Sequence, residues 1–427
     1  MEKIIAALRQ LGVEQYTVTE THTDSLESFY VKKNLDLTRR ADTTVRTVRV
    51  FRPFEKDGVK MLGDSEATVR PGMSAEELRS AISGAWYAAQ FVANPWYPLP
   101  AGVKEPHRSD KGGFAGRSLA ESMKAVAEAL FAEDTARDVF LNSAEIFMRR
   151  IDTRVVTSQG ADVGWEQYEV WGEYVCQCPA PQDVETYHQF SYREWSPEAL
   201  RAEVRHALEM TKARARAVAM PKTGAYSLVL DREQMAELLS YYVSRANSGM
   251  IYQKYSPFRM GDPVQGENVT GDKLTIGLKA TEPYTDFGAP MTDRPLLEEG
   301  VLRTIHGGAR FGHYLGIEPT GNYRAVAVPM GDTPMEALTA EPCLHVVSFS
   351  DFQMDALSGH FGGEIRLGFL HENGKVTPVT GGSVNGSILD AQGRMTFSKE
   401  RFRVKNYDGP LAVRLEGVNV AGSSKEL

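Results

Sequence analysis

The chain has few cysteines, no excess of basic residues and no long apolar run, and each absence excludes a class of protein. Cys176, Cys178 and Cys343 are the three cysteines in 427 residues, and no C-x-x-C pair occurs. A disulfide framework and a zinc knuckle are therefore excluded, and free thiols in a reducing cytosol are expected. The formal net charge of −8 argues against a nucleic-acid-binding surface. No run approaches the ~18 apolar residues that span a bilayer, and the first residues, MEKIIAALRQLG, read as a charged amphipathic helix rather than a signal sequence. We therefore expect a cytoplasmic protein without a membrane or nucleic-acid partner.

The first part of the chain, residues 1–195, predicts an α+β domain in which a mixed sheet is combined with helices. With 42% hydrophobic and 24% charged residues the composition is globular, and 427 residues exceed one typical core. Asp57-Gly58 predicts a hairpin turn, Ser74 with Glu77 predicts a capping box, and 94–113 predicts a surface loop rich in Pro and Gly. The predicted elements are helices over 3–11, 74–91 and 119–131, strands Tyr16–Thr21, Ser28–Leu37, Thr44–Phe54 and Val59–Val69, and strand-like sequence over 138–192 with a turn at 158–160.

A connecting helix and a second domain are predicted for the rest of the chain. Ser196 and Pro197 open a helix that continues to about Ala219, and Pro221 marks the boundary, so the connecting helix covers 196–221. Residues 222–427 are glycine-rich and strand-like, which predicts a β-rich domain built on a large antiparallel sheet or partly closed barrel. Near its start, a strand over 227–230 leads into a helix over 231–254 with one buried apolar stripe.

Several stretches of the C-terminal half, taken in order, resemble the TldD/PmbA family, once described as modulators of DNA gyrase. They are SGMIYQKYSPFRMGDPV from Ser248, GDKLTI from Gly271, a block containing Leu315-Gly316 and Thr320-Gly321-Asn322, and GFLHENGKVTPVTGGSVNGSI from Gly368. The resemblance covers about half of the chain. It implies an α+β N-terminal domain, a β-rich C-terminal domain and a dimer that encloses a peptide-sized cavity.

The resemblance also identifies a site whose chemistry has changed. Catalytic members of the family resemble zinc peptidases with H-E-x-x-x-H on the helix that follows the first C-terminal strand, where two imidazoles bind the metal and a carboxylate activates water. The matching positions here are Ser240, Tyr241 and Arg245, and no histidine lies between His206 and His306. The resemblance therefore implies the PmbA (TldE) type, a pseudo-enzyme with no catalytic residues, no metal ligands and no cofactor of its own. Zinc is expected only in a catalytic partner.

Arg245 and His360 could contact a ligand in the candidate groove without binding a metal. Arg245 would place a fixed cation where the metal sits, and it could bind a peptide carbonyl or carboxylate or, as we favour, pair with an acidic neighbour. His360 lies within SGHFGG, where flanking glycines let backbone approach a ligand. The candidate groove residues are therefore Ser240, Tyr241, Arg245 and His360.

Three functions remain open at this point. The favoured one is a non-catalytic subunit that pairs with a TldD-like catalytic chain and holds peptide or unfolded protein for proteolysis. The second is an active metallopeptidase with a non-standard site, and the third is a stand-alone homodimer that binds peptides. The residues that could build such a non-standard site are Cys343, His345, Asp351, Asp355, His360 and His371.

Overall fold

The computed structural model describes residues 1–220, 222–404 and 406–422, and within them the chain is 22% helix and 45% strand. The predicted α+β, β-rich class is confirmed. The boundary predicted at Pro221 lies outside the described residues, and the division into 1–195, 196–221 and 222–427 stays a prediction. The helices are α1 Glu2–Gln10, α2 Ala75–Ala89, α3 Leu119–Phe131, α4 Pro197–Arg214, α5 Glu233–Arg245, α6 Ser248–Tyr252, α7 Ala309–Leu315, α8 Met335–Leu338 and α9 Ile388–Ala391, with 3-10 turns at Gly112–Phe114 and Gln392–Arg394.

Seven strands of the N-terminal half form one antiparallel half-barrel sheet in which a short parallel strand is added at one edge. Their order is β3-β2-β1-β5-β6-β4, and β7 also pairs with β6. These strands are β1 Tyr16–Val31, β2 Asn34–Lys56, β3 Val59–Val69, β4 Arg108–Asp110, β5 Phe140–Thr157, β6 Asp162–Cys178 and β7 Val184–Tyr192. Helices α3 and α4 pack Val126, Leu130, Leu200 and Val204 against one face of the sheet, where a hydrophobic core is buried.

Local sequence signals located most of these elements, with two errors. The capping box at Ser74 is present, and α3 has the predicted bounds. The strand predicted over Ser28–Leu37 is wrong, because the chain turns at Lys32-Lys33 between β1 and β2. Lys32 adopts φ +54 there. Turns with a positive φ usually have Gly or Asn at that position, so a lysine gave no sign of this turn. The segment 94–113 is also more than a surface loop, since it includes β4 and buries the Tyr97 ring, which is 2% exposed.

The C-terminal half contains an eight-stranded sheet, five strands of which close into a barrel, and a second sheet of six strands. The barrel closes because β14 pairs with both β9 and β15 in the order β14-β9-β21-β17-β15. The second sheet has the order β12-β11-β10-β13-β20-β19. The strands are β8 Val218–Ala219, β9 Gly224–Asp231, β10 Ile276–Lys279, β11 Arg294–Glu298, β12 Val301–Leu302, β13 Ala325–Ala327, β14 Cys343–Met354, β15 His360–Glu372, β16 Lys375–Thr380, β17 Ser383–Ser387, β18 Thr396–Phe397, β19 Arg401–Val404, β20 Tyr407–Pro410 and β21 Ala412–Ala421.

The helix predicted over 231–254 is two helices. Its apolar stripe is confirmed, since Met235, Leu238, Leu239 and Tyr242 are fully buried in the C-terminal core. The start is delayed because Arg232 has φ 54 and ψ −122, outside the helical region. After α5 ends at Arg245 the extended Asn247 breaks the helix, and its Oδ1 accepts from the Gly249 N–H at 2.9 Å to begin α6. The connecting helix also ends early: α4 stops at Arg214, because Val218 and Ala219 pair with β16.

Candidate functional site

Helix α5 separates the three residues that match the metal-ligand positions. Because successive helical residues are about 100° apart, Ser240 and Tyr241 point to different sides. Ser240 lies in a surface groove, whereas Tyr241 is 2% exposed and Arg245 is 8% exposed. Tyr241 and Arg245 lie together, with the Arg245 guanidinium carbon 5.8 Å from the centre of the Tyr241 ring. The structure therefore brings two of the predicted site residues together and places the third on the groove side.

Arg245 is a buried cation held by backbone carbonyls and aromatic rings. Its Nη1 donates to the carbonyl oxygen of Tyr255 and, at 3.4 Å, to that of Leu357. Its guanidinium carbon also lies 5.7 Å from the centre of the Phe258 ring. The acidic neighbour expected for Arg245 is wrong: in the described parts of the chain no carboxylate lies within ion-pair distance of it. Burial raises the pKa of Tyr241 and the Arg245 cation opposes that rise, so Tyr241 is a neutral phenol.

Ser240 lies in a groove of about 470 Å³ between α5 and the second C-terminal sheet. On α5, Glu233, Glu237, Ser240 and Ser244 follow one another at helical spacing on the side away from the core. The opposite wall comes from Arg324, the strands β13 and β19, and Asn406. The Met354 N–H donates to Glu237 Oε1 at 3.0 Å, which ties α5 to the end of β14. The full lining is Glu233, Ala236, Glu237, Ser240, Val243, Ser244, Arg324, Val326, Val404 and Asn406.

Charged, hydroxyl and apolar groups alternate along this groove, and such a lining suits a polypeptide. Carboxylates can accept hydrogen bonds from backbone N–H groups, and hydroxyls can accept from N–H groups or donate to carbonyl oxygens. Val243, Val326 and Val404 offer apolar contact. Sequence reasoning missed Glu233, Glu237, Arg324 and Asn406. The two glutamates could have been found, because they share the helical face of Ser240. The other two come from distant parts of the chain and left no local signal.

The three matching positions do not fit zinc. Zinc takes imidazole nitrogen, thiolate sulfur or carboxylate oxygen as ligands. Here Ser240 offers a hydroxyl, Tyr241 a packed phenol, and Arg245 a guanidinium whose positive charge would oppose a metal ion. Among the residues that the structure describes, no group of three His, Cys, Asp or Glu side chains is placed to hold a metal ion.

His360 lies apart from the α5 groove. It is exposed and lines a separate, open depression of about 720 Å³ with Asp355, Phe361 and Asn385. Its backbone N–H donates to Ser358 Oγ at 3.3 Å, and its carbonyl oxygen accepts from the Asp355 N–H at 2.8 Å. His360 is thus the first residue of β15, directly after the turn that follows β14.

The other residues considered for a non-standard metal site are spread over β14 and β15. His345 Nε2 lies 3.0 Å from Asp231 Oδ2 in a mostly buried pair. His371 is opposite Cys343 in the strand register, whereas His360 is at the other end of β15. Nearer to α5, His306 Nε2 donates to the Val243 carbonyl at 2.8 Å, and burial lowers the pKa of His306, so it supports the helix as a neutral ring.

Sequence and structure comparisons give the family. Residues 223–422 match the profile of the PmbA/TldA metallopeptidase C-terminal domain. An uncharacterised protein of Methanocaldococcus jannaschii, MJ0231, is 24% identical over 376 residues, covering 78% of this chain and 85% of that protein. The half-barrel, the closed barrel and the profile match define a metallopeptidase-related protein. Residues 223–422, the C-terminal half of the chain, belong to the TldD/PmbA family.

Solved structures with the same fold span the whole chain. The alignment with TldE from Thermococcus kodakarensis has a TM-score of 0.77 and 16% identity. It covers 98% of this chain and 100% of the TldE chain. The alignment with a proposed modulator of DNA gyrase from Thermotoga maritima has a TM-score of 0.77 and 17% identity, and it covers 98% of this chain and 99% of that protein. The alignment with a proposed modulator of DNA gyrase from Bacteroides thetaiotaomicron has a TM-score of 0.77 and 17% identity, and it covers 99% of this chain and 98% of that protein. These likenesses show the fold. No helix in the described residues is long and apolar enough to cross a membrane.

Proposed function

We propose that the chain is a PmbA/TldE-like, non-catalytic subunit of a TldD-type zinc peptidase. In this role it holds peptide or unfolded protein in a cytoplasmic complex and helps to enclose the chamber in which a TldD-like partner cleaves it. It needs no cofactor of its own, because the zinc belongs to the partner. Neither a membrane nor a nucleic acid takes part.

The observation that carries this proposal is Arg245. Where the family's catalytic members have the second histidine of H-E-x-x-x-H, this chain has a cation that is 8% exposed and bonded to two carbonyls. Removing a buried, hydrogen-bonded arginine leaves its partners unsatisfied, so the residue is integral to the packing of this fold. In this proposal α5 has a structural role, and the groove beside Ser240 binds a polypeptide.

Co-purification from the native host tests the proposal. A tagged chain should bring down a relative with H-E-x-x-x-H on the equivalent helix, and the pair should cleave an unfolded peptide in a reaction that a chelator abolishes. As the matched control, replacing the glutamate of the partner's motif by glutamine should preserve assembly and abolish cleavage.

Two other outcomes would each overturn the proposal in favour of one alternative. Chelator-sensitive cleavage by the chain alone would make it an active metallopeptidase with a non-standard site. A homodimer that binds the peptide with no companion would make it a stand-alone peptide-binding protein.

A further inference from the structure

A second cavity lies between the two halves of the molecule, at the start of α5, and it shares Glu233 with the α5 groove. It has a volume of about 280 Å³ and is enclosed by β6, β7 and α4 on one side and by the start of α5 with β14 and β15 on the other. Both charged and apolar side chains line it. Nothing in the proposed role of Ser240 and Arg245 uses this cavity.

Two arginines without ion-pair partners meet there. Among the described residues, no carboxylate lies within ion-pair distance of Arg214 or Arg232. Arg214 Nη1 donates to the Arg366 carbonyl at 3.2 Å, and burial lowers the pKa of Arg214. Arg232 Nε is buried without a hydrogen-bond partner, and the guanidinium carbon lies 5.5 Å from the centre of the Phe402 ring. Burial raises the pKa of Glu203 and of Glu233 and the Arg232 cation opposes that rise, so the charge of Arg232 is balanced in part at longer range. Two guanidinium groups without ion pairs around one small cavity favour a bound anion, since guanidinium matches the oxygens of a carboxylate or phosphate.

The start of α5 adds further donors to the same cavity. Arg232 is the N-cap residue and its side chain makes no capping bond, while the Glu233 carboxyl accepts from its own backbone N–H in the first turn. Gln234, in the first turn, has a buried Oε1 without a partner, which leaves its amide free to be reoriented by a ligand. Burial lowers the pKa of His188 and of His206 to about 4, so both rings are neutral at pH 7 and can donate a hydrogen bond without charge.

Among the described residues, the acidic groups nearby form no ion pair with either arginine. The Tyr192 hydroxyl donates to Glu203 Oε1 at 2.5 Å, and burial raises the pKa of Glu203 to about 7. Asp231 is paired with His345 at 3.0 Å. Glu233 lines the cavity from the first turn of α5 and lies beyond ion-pair distance of both arginines. An anion that entered the cavity would therefore meet two guanidinium groups that hold no ion pair.

One part of the remaining lining is apolar and restricts the kind of anion. Met210, Val347, Phe349 and Leu367 form that part of the wall. A volume of about 280 Å³ is below the range of roughly 300–1,000 Å³ that drug-sized ligands occupy. We propose that this cavity binds the C-terminal residue of a peptide, with the α-carboxylate on Arg214 and Arg232 and an apolar side chain against Phe349 and Leu367. This inference rests on the proposed peptide-holding function and adds a preference for free C-termini.

The test compares two forms of one peptide with the full-length chain. A fluorescein-labelled peptide ending in leucine is titrated as the free acid and as the C-terminal amide, and binding is followed by fluorescence anisotropy. We expect the acid to bind at least tenfold more tightly than the amide. Inorganic phosphate serves as the competitor and should displace the acid weakly, because it lacks the apolar group.

Arginine variants locate the binding. Arg214→Gln and Arg232→Gln should each remove the preference for the acid. Arg205→Gln is the matched control, since Arg205 is on the same helix α4 but is exposed and paired with Glu133 at 3.0 Å; it should keep the preference. If a cavity variant fails to fold by circular dichroism, the acid-to-amide ratio of the unaltered chain decides the matter.

Three results would overturn the inference, and each leaves the proposed function separately testable. Equal binding of acid and amide would remove the C-terminal assignment while peptide holding stood. Phosphate binding without any preference between the peptides would mean a phosphate site instead. Binding of neither peptide by the isolated chain would overturn the inference, whereas co-purification with a metal-containing relative would still decide the function.

Discussion

At the scale of single residues, burial controls which groups carry charge. Glu203 lies between α4 and β7, where its carboxyl accepts from the Tyr192 hydroxyl. Burial raises its pKa to about 7 from the usual 4.5, and the neighbouring Glu233 carboxylate acts in the same direction. The hydrogen bond from Tyr192 favours the ionised form and is outweighed by desolvation.

The raised pKa makes a prediction about pH and stability. Because the folded state holds this proton more tightly than the unfolded state, the contribution of Glu203 is fully present below pH 4.5 and is lost as pH rises through about 7. Glu203→Gln keeps an acceptor for Tyr192 and cannot ionise. It should therefore stabilise the protein at pH 8 by up to about 3 kcal/mol and change little at pH 4.5.

Urea unfolding of both proteins at the two pH values measures this difference, in which the contributions of His188 and His206 cancel. Glu209→Gln, an exposed change on the same helix, should show no such pH-dependent gain. A Glu203→Gln protein whose advantage was the same at both pH values would show that ionisation of Glu203 is not the cause.

At the scale of elements, Arg245 joins three pieces of the C-terminal half. It lies at the end of α5, and its two carbonyl acceptors belong to the segment after α6 and to the turn between β14 and β15. Arg245→Met would keep much of the side-chain volume and leave the carbonyls of Tyr255 and Leu357 without this donor. We expect a loss of about 1–3 kcal/mol in the free energy of unfolding.

The matched control for this prediction is Arg303→Met. Arg303 is exposed and its ion pair with Glu298, at 3.0 Å, lies on the surface, so its replacement should cost less than about 1 kcal/mol. Urea midpoints of the two variants and the parent give the comparison. Equal midpoints for Arg245→Met and Arg303→Met would mean that Arg245 does not hold these elements together.

Elements with a strong local signal were predicted from sequence, and those that depend on distant contacts were not. Helices α2 and α3 begin at capping boxes and have periodic apolar residues, so both were found. The break between α5 and α6 was missed because the apolar pattern continues across Ala246. Closure of the barrel depends on pairing between β14 and β15 and between β14 and β9, and no single segment records that arrangement.

The candidate site, too, could be predicted from the sequence only in part. Resemblance located Ser240, Tyr241 and Arg245 on one helix, but their separation onto a groove face and a buried face depends on packing. The carbonyl partners of Arg245 are at Tyr255 and Leu357, 10 and 112 residues away along the chain. Arg324 and Asn406 reach the groove only after the second C-terminal sheet has formed.

At the scale of the whole molecule, the fold is that of the TldD/PmbA family, and we propose that the metal chemistry differs from that of its catalytic members. The half-barrel, the closed barrel and the buried stripe of α5 are all present. The three positions predicted to match the zinc ligands hold a hydroxyl, a packed phenol and a fixed cation. We therefore propose that this chain contributes binding surfaces to a complex in which a partner supplies the zinc.

Metal content tests this claim most directly. The chain is purified alone after growth with zinc, dialysed without chelator and measured by inductively coupled plasma mass spectrometry alongside circular dichroism. A catalytic relative with an intact H-E-x-x-x-H is prepared in parallel as the control and should hold close to one zinc per chain. We expect folded protein with far less than one zinc per chain, and near-stoichiometric zinc bound to the folded chain would contradict the proposed function.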